Sequence, residues 1–353
     1  MDAVLSIRNL VTEFRTPDGM LRAVDGIDLE LRPGETLGLV GESGSGKSVT
    51  MMSALGLLPA RNTVVSGEVL LDGRDLLRLP KRQLQRVRGR DVGVVFQDPM
   101  TSLNPVRTIG WQIGEAIWTH DPKVSRRAAR GRVVDLLRLV GVPSPQTRVD
   151  QYPHEFSGGM RQRVMIAIAI ANQPKVLIAD EPTTALDVTI QAQVLDVLEA
   201  AKQETGAATI LITHDLGIVA QYVDRAAVMY SGRIVEQAPL ERLFREPHHP
   251  YTVGLLASVP RVEARAEHLV PIPGQPPTLS ARPPGCAFHP RCPLASSRER
   301  CRIEAPDLLE IDDGHLARCH FSAEVAGYVH TIEGELGISL AGEPTAGTRG
   351  EMA

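Results

Sequence analysis

Eight consecutive residues, Gly41-Glu42-Ser43-Gly44-Ser45-Gly46-Lys47-Ser48, constrain this chain more than any other stretch. They match G-x-x-x-x-G-K-[ST], a loop in which glycines let backbone N–H groups wrap a phosphate while the dipole of the following helix adds positive charge. The flanks agree. Glu35 to Val40 (ETLGLV) is a short, mainly apolar run suited to a strand, and Lys47 to Leu58 favours helix. In such a unit Lys47 is placed to reach the β- and γ-phosphates of a nucleotide, and Ser48 to offer a hydroxyl to Mg²⁺. Gly41, Ser43, Gly44, Ser45, Gly46 and Thr50 complete the candidate phosphate-binding set.

A second strand, Lys175 to Ala179, ends in two carboxylates, Asp180 and Glu181. An acid at the C-terminal end of a buried parallel strand sits at the usual ligand crevice of an α/β sheet. Asp180 is therefore expected to hold Mg²⁺ through water and Glu181 to polarise an attacking water. Leu5 to about Leu31 reads as strand-like, broken by Thr16-Pro17-Asp18-Gly19, which suggests an antiparallel β-layer. Residues 98–160 read as mostly helical, with periodic apolar positions in Arg132 to Val140, and a βα alternation continues through Ala208 to Thr213. An α/β core with a helical insertion fits this order.

The composition excludes several partners. With 38 basic and 42 acidic side chains and a net charge of −4, the chain has no electrostatic footprint for nucleic acid. Its N-terminus, MDAVLSIRNLVTEF, does not read as a secretory signal, and its best apolar run, Val164 to Ala171, has eight residues where a spanning helix needs about 18. The chain is thus expected on the cytoplasmic side, with any membrane role acting through partners. From Pro247 the composition changes: 11 of the 47 residues from 247 to 293 are proline, which disfavours long regular elements. The organisation expected is a nucleotide-binding domain over 1–246, a proline-rich module over 247–325 holding all four cysteines, and a tail over 326–353 whose end, LAGEPTAGTRGEMA, reads as disordered.

Phe156-Ser157-Gly158-Gly159-Met160-Arg161-Gln162-Arg163 resembles LSGGQ, the signature of ABC ATPases, and forms a second anion cradle at a helix start. Gln97 in VVFQDP, Asp187 in TTALD and His214 in LITHD follow the same family's order. The resemblance implies an ABC-type P-loop ATPase, with a RecA-like core, an antiparallel β-layer and a helical subdomain at about 98–160. It implies that two subunits pack head to tail, each ATP lying between one subunit's phosphate loop and the Ser157-Gly158-Gly159 cradle of the other. It assigns Gln97 to Mg²⁺ and the nucleophilic water, His214 to the γ-phosphate and Asp187 to communication between sites. Phe14 becomes the adenine stacker, with simple core packing as its alternative.

Over about residues 4–322 the chain is more narrowly similar to the D-type ATPases of bacterial dipeptide and oligopeptide importers. The segments that carry this are Gln97 through Pro105, the FSGGM form of the signature, His249-Pro250-Tyr251-Thr252, Pro273 through Pro277, and Pro284 through Pro293. Met160 stands where the general signature has Gln and flanks the cradle. The implied partners are two membrane permeases, a related second ATPase and an extracytoplasmic peptide-binding protein, with this subunit peripheral on the cytoplasmic face of the membrane. Nickel import by the same subfamily is the nearest alternative. A soluble ABC ATPase of translation or DNA repair is disfavoured by the single cassette and the absence of a long coiled-coil insertion.

Cys286, Cys292, Cys301 and Cys319 are separated by five, eight and seventeen residues, and no cysteine precedes them. In a reducing cytoplasm two stable disulfides are unusual, and no close C-x₂₋₄-C pair favours zinc. Together with the family resemblance, this leads to the expectation of a structural [4Fe–4S] cluster on the four thiolates, with four-cysteine zinc as the alternative.

Overall fold

A computed structural model describes residues 2–184, 186–258 and 271–336, which divide between two compact units interleaved along the chain. One unit comprises Ile7–Leu29, Leu37–Glu68 and the chain from Thr213 onward; the other comprises the N-terminal residues to Ser6, Glu30–Thr36 and Val69–Ile212.

In the first unit the apolar run after Glu35 forms the strand Thr36–Val40, buried at every residue. It pairs in parallel with Arg225–Tyr230, Leu37 opposite Arg225 and Val40 opposite Val228. Strands buried on both faces read as continuous hydrophobic runs, and both of these do. The sheet continues antiparallel through Arg233–Pro239 and His315–Ala317 to Leu309–Asp312. The expected β-layer is present as Leu5–Thr16 and Gly19–Leu31, joined across Pro17-Asp18, with Thr63–Leu71 next to the first of them. The helix after the phosphate loop spans Lys47–Ala54 and stops four residues short of the expected Leu58. Gly56 at φ 59 takes the left-handed conformation that ends helices.

In the second unit Val92–Val95, Val176–Asp180 and the strand from Ala208 pair in parallel, Val92 opposite Val176 and Val176 opposite Ala208. Residues 98–160 are mostly helical. Thr108 and Ser125 accept from the N–H groups of Trp111 and Ala128, and so start the helices Ile109–His120 and Arg126–Leu139. The apolar periodicity beginning at Arg132 buries Val133 and Leu137 on one face.

The C-terminal region departs from the expectation of an irregular module organised by cysteines. Its hairpin adds to the sheet of the first unit, Glu236 opposite Ala317. Glu236 is fully buried; its carboxylate accepts from the N–H groups of His248 (2.5 Å) and His249 (3.0 Å) and pairs with Nε2 of His315 at 2.8 Å. Tyr230, Tyr251 and Phe288 form an aromatic cluster with centroids 4.6–5.3 Å apart. The first part of the expected tail is the helix Val325–Leu336, whose Val325, Val329 and Ile332 pack on Val253 and Ala257 of the helix Pro250–Ala257. The spacing of those three residues is that of one helical face. The segment LAGEPTAGTRGEMA lies outside the described residues.

Because Glu236 satisfies a buried and a part-buried backbone donor and a buried imidazole, Glu236→Ala is expected to lower stability by about 3 kcal/mol, with Glu236→Gln losing less. Chemical denaturation of the three proteins, followed by circular dichroism, measures the difference.

Candidate nucleotide-binding site

The phosphate loop is shaped by its own lysine. Lys47 is 4% exposed, and its ammonium donates to the carbonyls of Gly41 (2.8 Å) and Glu42 (3.0 Å). Gly46 has φ 106, and a Cβ there would lie 2.9 Å from the carbonyl oxygen of Ala23, so only glycine permits the bend. The Ser45 hydroxyl is buried without a hydrogen-bond partner among the described residues, as a donor reserved for a ligand oxygen would be. Thr50, fully buried, donates its hydroxyl to the Gly46 carbonyl at 2.9 Å, which pins the first turn of the helix. Ser43 and Gly44 are exposed, Gly41 is buried and Ser48 is half-buried at the helix start. Phe14 is half-buried on Leu5–Thr16, and His214 is exposed just past the strand Ala208–Thr213.

The other unit brings Gln97 and Glu181 together. Glu181 follows the strand end at Asp180 with φ 45, an uncommon conformation for a non-glycine residue. Its N–H donates to the Ile212 carbonyl at 3.0 Å, and its Oε2 accepts from Gln97 Nε2 (3.1 Å) and the Thr184 hydroxyl (2.9 Å). Thr184 lies in the TTALD segment beside Asp187, where nothing in the sequence marks this contact; Ala185 is outside the described residues.

Ser157 caps the helix Gly158–Ile170, its oxygen accepting from Met160 N–H at 3.4 Å. With the oxygen engaged as acceptor, its O–H remains a donor at an exposed helix start. Asp187, also exposed, caps Val188–Thr205 by accepting from Ile190 N–H at 3.0 Å.

The four-cysteine metal centre does not survive. Cys286, Cys292, Cys301 and Cys319 are free, and among the described residues no group of three or more His, Cys, Asp and Glu side chains could hold a metal ion. Burial pushes the thiol of Cys292 up to about 11 and that of Cys319 up to about 12, with the other cysteines adding to it. Burial also raises Cys286 and Cys301. Neither the [4Fe–4S] cluster nor the zinc alternative is retained.

Two family profiles match the chain: "ABC transporter" over residues 24–184 and "Oligopeptide/dipeptide transporter, C-terminal region" over 235–301. The dipeptide transport ATP-binding protein DppD of Bacillus subtilis is 52% identical over 320 residues, 90% of this chain and 95% of that protein. The oligopeptide transport ATP-binding protein OppD of Haemophilus influenzae is 48% identical over 324 residues, 92% and 99% of the two chains. OppD of Mycobacterium tuberculosis is 53% identical over 93% of this chain, which spans only 53% of that longer relative. Among solved structures, a dimeric ATP-binding cassette in a post-hydrolysis state with ADP and phosphate superposes with a TM-score of 0.60 at 25% identity, covering 67% of this chain and 98% of that one. CbiO1 of Clostridium perfringens, part of an ABC transporter complex, gives 0.58 at 30% identity, covering 70% and 92%. A P-loop ATP-binding cassette is the class that fold, loop and these likenesses define. The chain belongs to the ABC transporter family, among the oligopeptide and dipeptide transport ATP-binding proteins.

Since the Ser157 hydroxyl satisfies an N-terminal helix amide, Ser157→Ala is expected to cost about 1 kcal/mol of stability and Ser157→Asp much less. Urea denaturation midpoints of the three proteins test it.

Proposed function

We propose that this chain is the ATP-hydrolysing subunit of a peptide importer, docked peripherally on two membrane permeases beside a second, homologous ATPase, with an extracytoplasmic receptor delivering the peptide. The relatives named as peptide-transport ATP-binding proteins support the substrate class, and the match of residues 235–301 to the C-terminal region of such transporters extends that support beyond the cassette. No helix among the described residues is long and apolar enough to cross a membrane, consistent with a passage built by other subunits.

The observation that carries the chemistry is the fixed carboxylate of Glu181. Holding a glutamate at φ 45 costs on the order of 1–3 kcal/mol, and such strain persists where the surroundings over-determine it. Here the strand end, Gln97 and Thr184 do so, leaving a carboxylate aimed by its neighbours and able to accept a proton from an attacking water. In this reading Lys47, Ser45 and the loop amides bind the β- and γ-phosphates, and Gly41, Ser43, Gly44 and Gly46 supply the bend. Thr50 secures the helix start. His214 contacts the γ-phosphate, Phe14 stacks on adenine, and Ser157, Gly158 and Gly159 cradle the γ-phosphate of the ATP held by the partner ATPase. Asp187 links the two sites.

Ser48, Gln97 and Asp180 are hard oxygen donors suited to Mg²⁺, which when bound neutralises charge on the phosphate oxygens. Loss of the ATP bridge on hydrolysis lets the two ATPases separate, and residues 98–105 transmit that motion to the permease.

Glu181→Gln is expected to keep ATP affinity near wild type while lowering turnover of the assembled transporter by about 100-fold or more. Lys47→Ala is expected to weaken ATP binding itself, because the phosphates lose their cationic partner. Equilibrium ATP binding and phosphate release, measured on both variants, separate the two effects; near-normal turnover in Glu181→Gln would remove it as the base. In proteoliposomes holding the full transporter and its receptor, peptide is expected to stimulate hydrolysis and nickel salts are not. Stimulation by nickel alone would overturn the peptide reading.

A further inference from the structure

The phosphate loop is gripped from outside the cassette's recognised motifs at Glu42, by two side chains that come from far along the chain. The Glu42 carbonyl accepts from the Lys47 ammonium at 3.0 Å, and its N–H donates to the hydroxyl of Tyr251 at 2.8 Å. Its carboxylate receives both arms of the Arg291 guanidinium, Nη1 to Oε2 at 2.7 Å and Nη2 to Oε1 at 3.0 Å. Parallel two-point pairing of this kind is the strongest arrangement open to an arginine and a carboxylate. Neither partner is a loose surface group. The Arg291 side chain is 5% exposed, its Nε donates to the Pro273 carbonyl at 2.9 Å, and Tyr251 is fully buried. Both residues belong to the region after the cassette, 249 and 209 positions from Glu42 in sequence.

A carboxylate inside a phosphate-binding loop is a liability. Left uncompensated, it repels the triphosphate that Lys47 attracts, and in a partly buried site that repulsion is weakly screened. The geometry points to Arg291, assisted by Tyr251, as a positioning residue of the ATP site: it cancels the charge of Glu42 and fixes the carbonyl against which Lys47 is held. The C-terminal region thereby sets the affinity of the phosphate loop without touching nucleotide. This rests on the ATPase reading above and adds to it a control point that the cassette motifs lack. A salt bridge that merely fastened the C-terminal region would cost stability when broken and leave ATP affinity alone.

The test uses the full chain, with Mg·ATP binding measured by equilibrium titration and hydrolysis measured in the assembled transporter. Arg291→Ala is expected to weaken ATP affinity about tenfold, the size of one nearby uncompensated charge at intermediate dielectric, and to raise KM with kcat within about twofold. Arg291→Lys, which keeps the charge and loses the fork, should lose less. The decisive variant is Glu42→Gln in the Arg291→Ala background. Removing the stranded carboxylate should recover most of the lost affinity, whereas deleting a second contact cannot repair a purely structural defect. Should Arg291→Ala not fold, the same comparison is made with Arg291→Gln, which also removes the charge while keeping more of the side-chain volume. Unchanged ATP affinity in the Arg291 variants, or a double variant no better than the single one, overturns the proposal. Failure of the wild-type chain to bind ATP at all would instead overturn the ATPase reading.

Discussion

A buried ammonium needs oxygen partners, and Lys47, 4% exposed, donates to the carbonyls of Gly41 and Glu42 in its own loop. That requirement folds the loop back over the start of Lys47–Ala54 and turns a flexible glycine-serine run into a shaped cradle. The rest of the unit is arranged to hold it. Gly232 N–H donates to the Ser45 carbonyl at 2.8 Å, the Gly232 carbonyl accepts from Asp25 N–H at 2.8 Å, and Thr50 ties the helix to Gly46.

Asp25 shows how far this scaffold reaches. Burial alone would raise its pKa, but hydrogen bonds and charge from Arg233, with Arg282 and Arg22 adding to them, hold it below the ordinary carboxylate range. Arg282 comes from the C-terminal region and donates to Asp25 at 2.6 Å. Two arginines of that region, 282 and 291, thus reach acids on or beside the cradle, and Glu236 anchors its hairpin and the chain at His248 and His249. Ion pairs, a buried carboxylate and an aromatic cluster do the work that the cysteines were expected to do.

The second unit applies the same logic to a carboxylate. Strand Val176–Asp180 is buried through Ala179, and the chain must turn sharply as it leaves the sheet; Glu181 takes that turn in a left-handed conformation. The turn and the contacts of Gln97 and Thr184 limit where its oxygens can lie. A glutamate on a free loop would sample many rotamers, and ordering it at the moment of reaction would cost entropy.

Local order determined what the sequence alone could tell. The phosphate loop, the strand before it, the strand ending at Asp180, the helix start at Ser157 and the helical stretch from 98 to 160 all follow from periods, caps and turns that span a few residues. What required the tertiary structure was every contact across long sequence separation. Gln97 reaches Glu181 only because the sheet brings together positions 84 residues apart, and Arg291 and Tyr251 matter only because the chain returns more than 200 residues later to the loop at Glu42. Cysteine count and spacing could not reveal whether the four thiols converge, and among the described residues no group of three or more ligating side chains does. The helix Val325–Leu336 was hidden for a related reason: its apolar face is short, and it gains meaning only when Val253 and Ala257 supply the surface it covers.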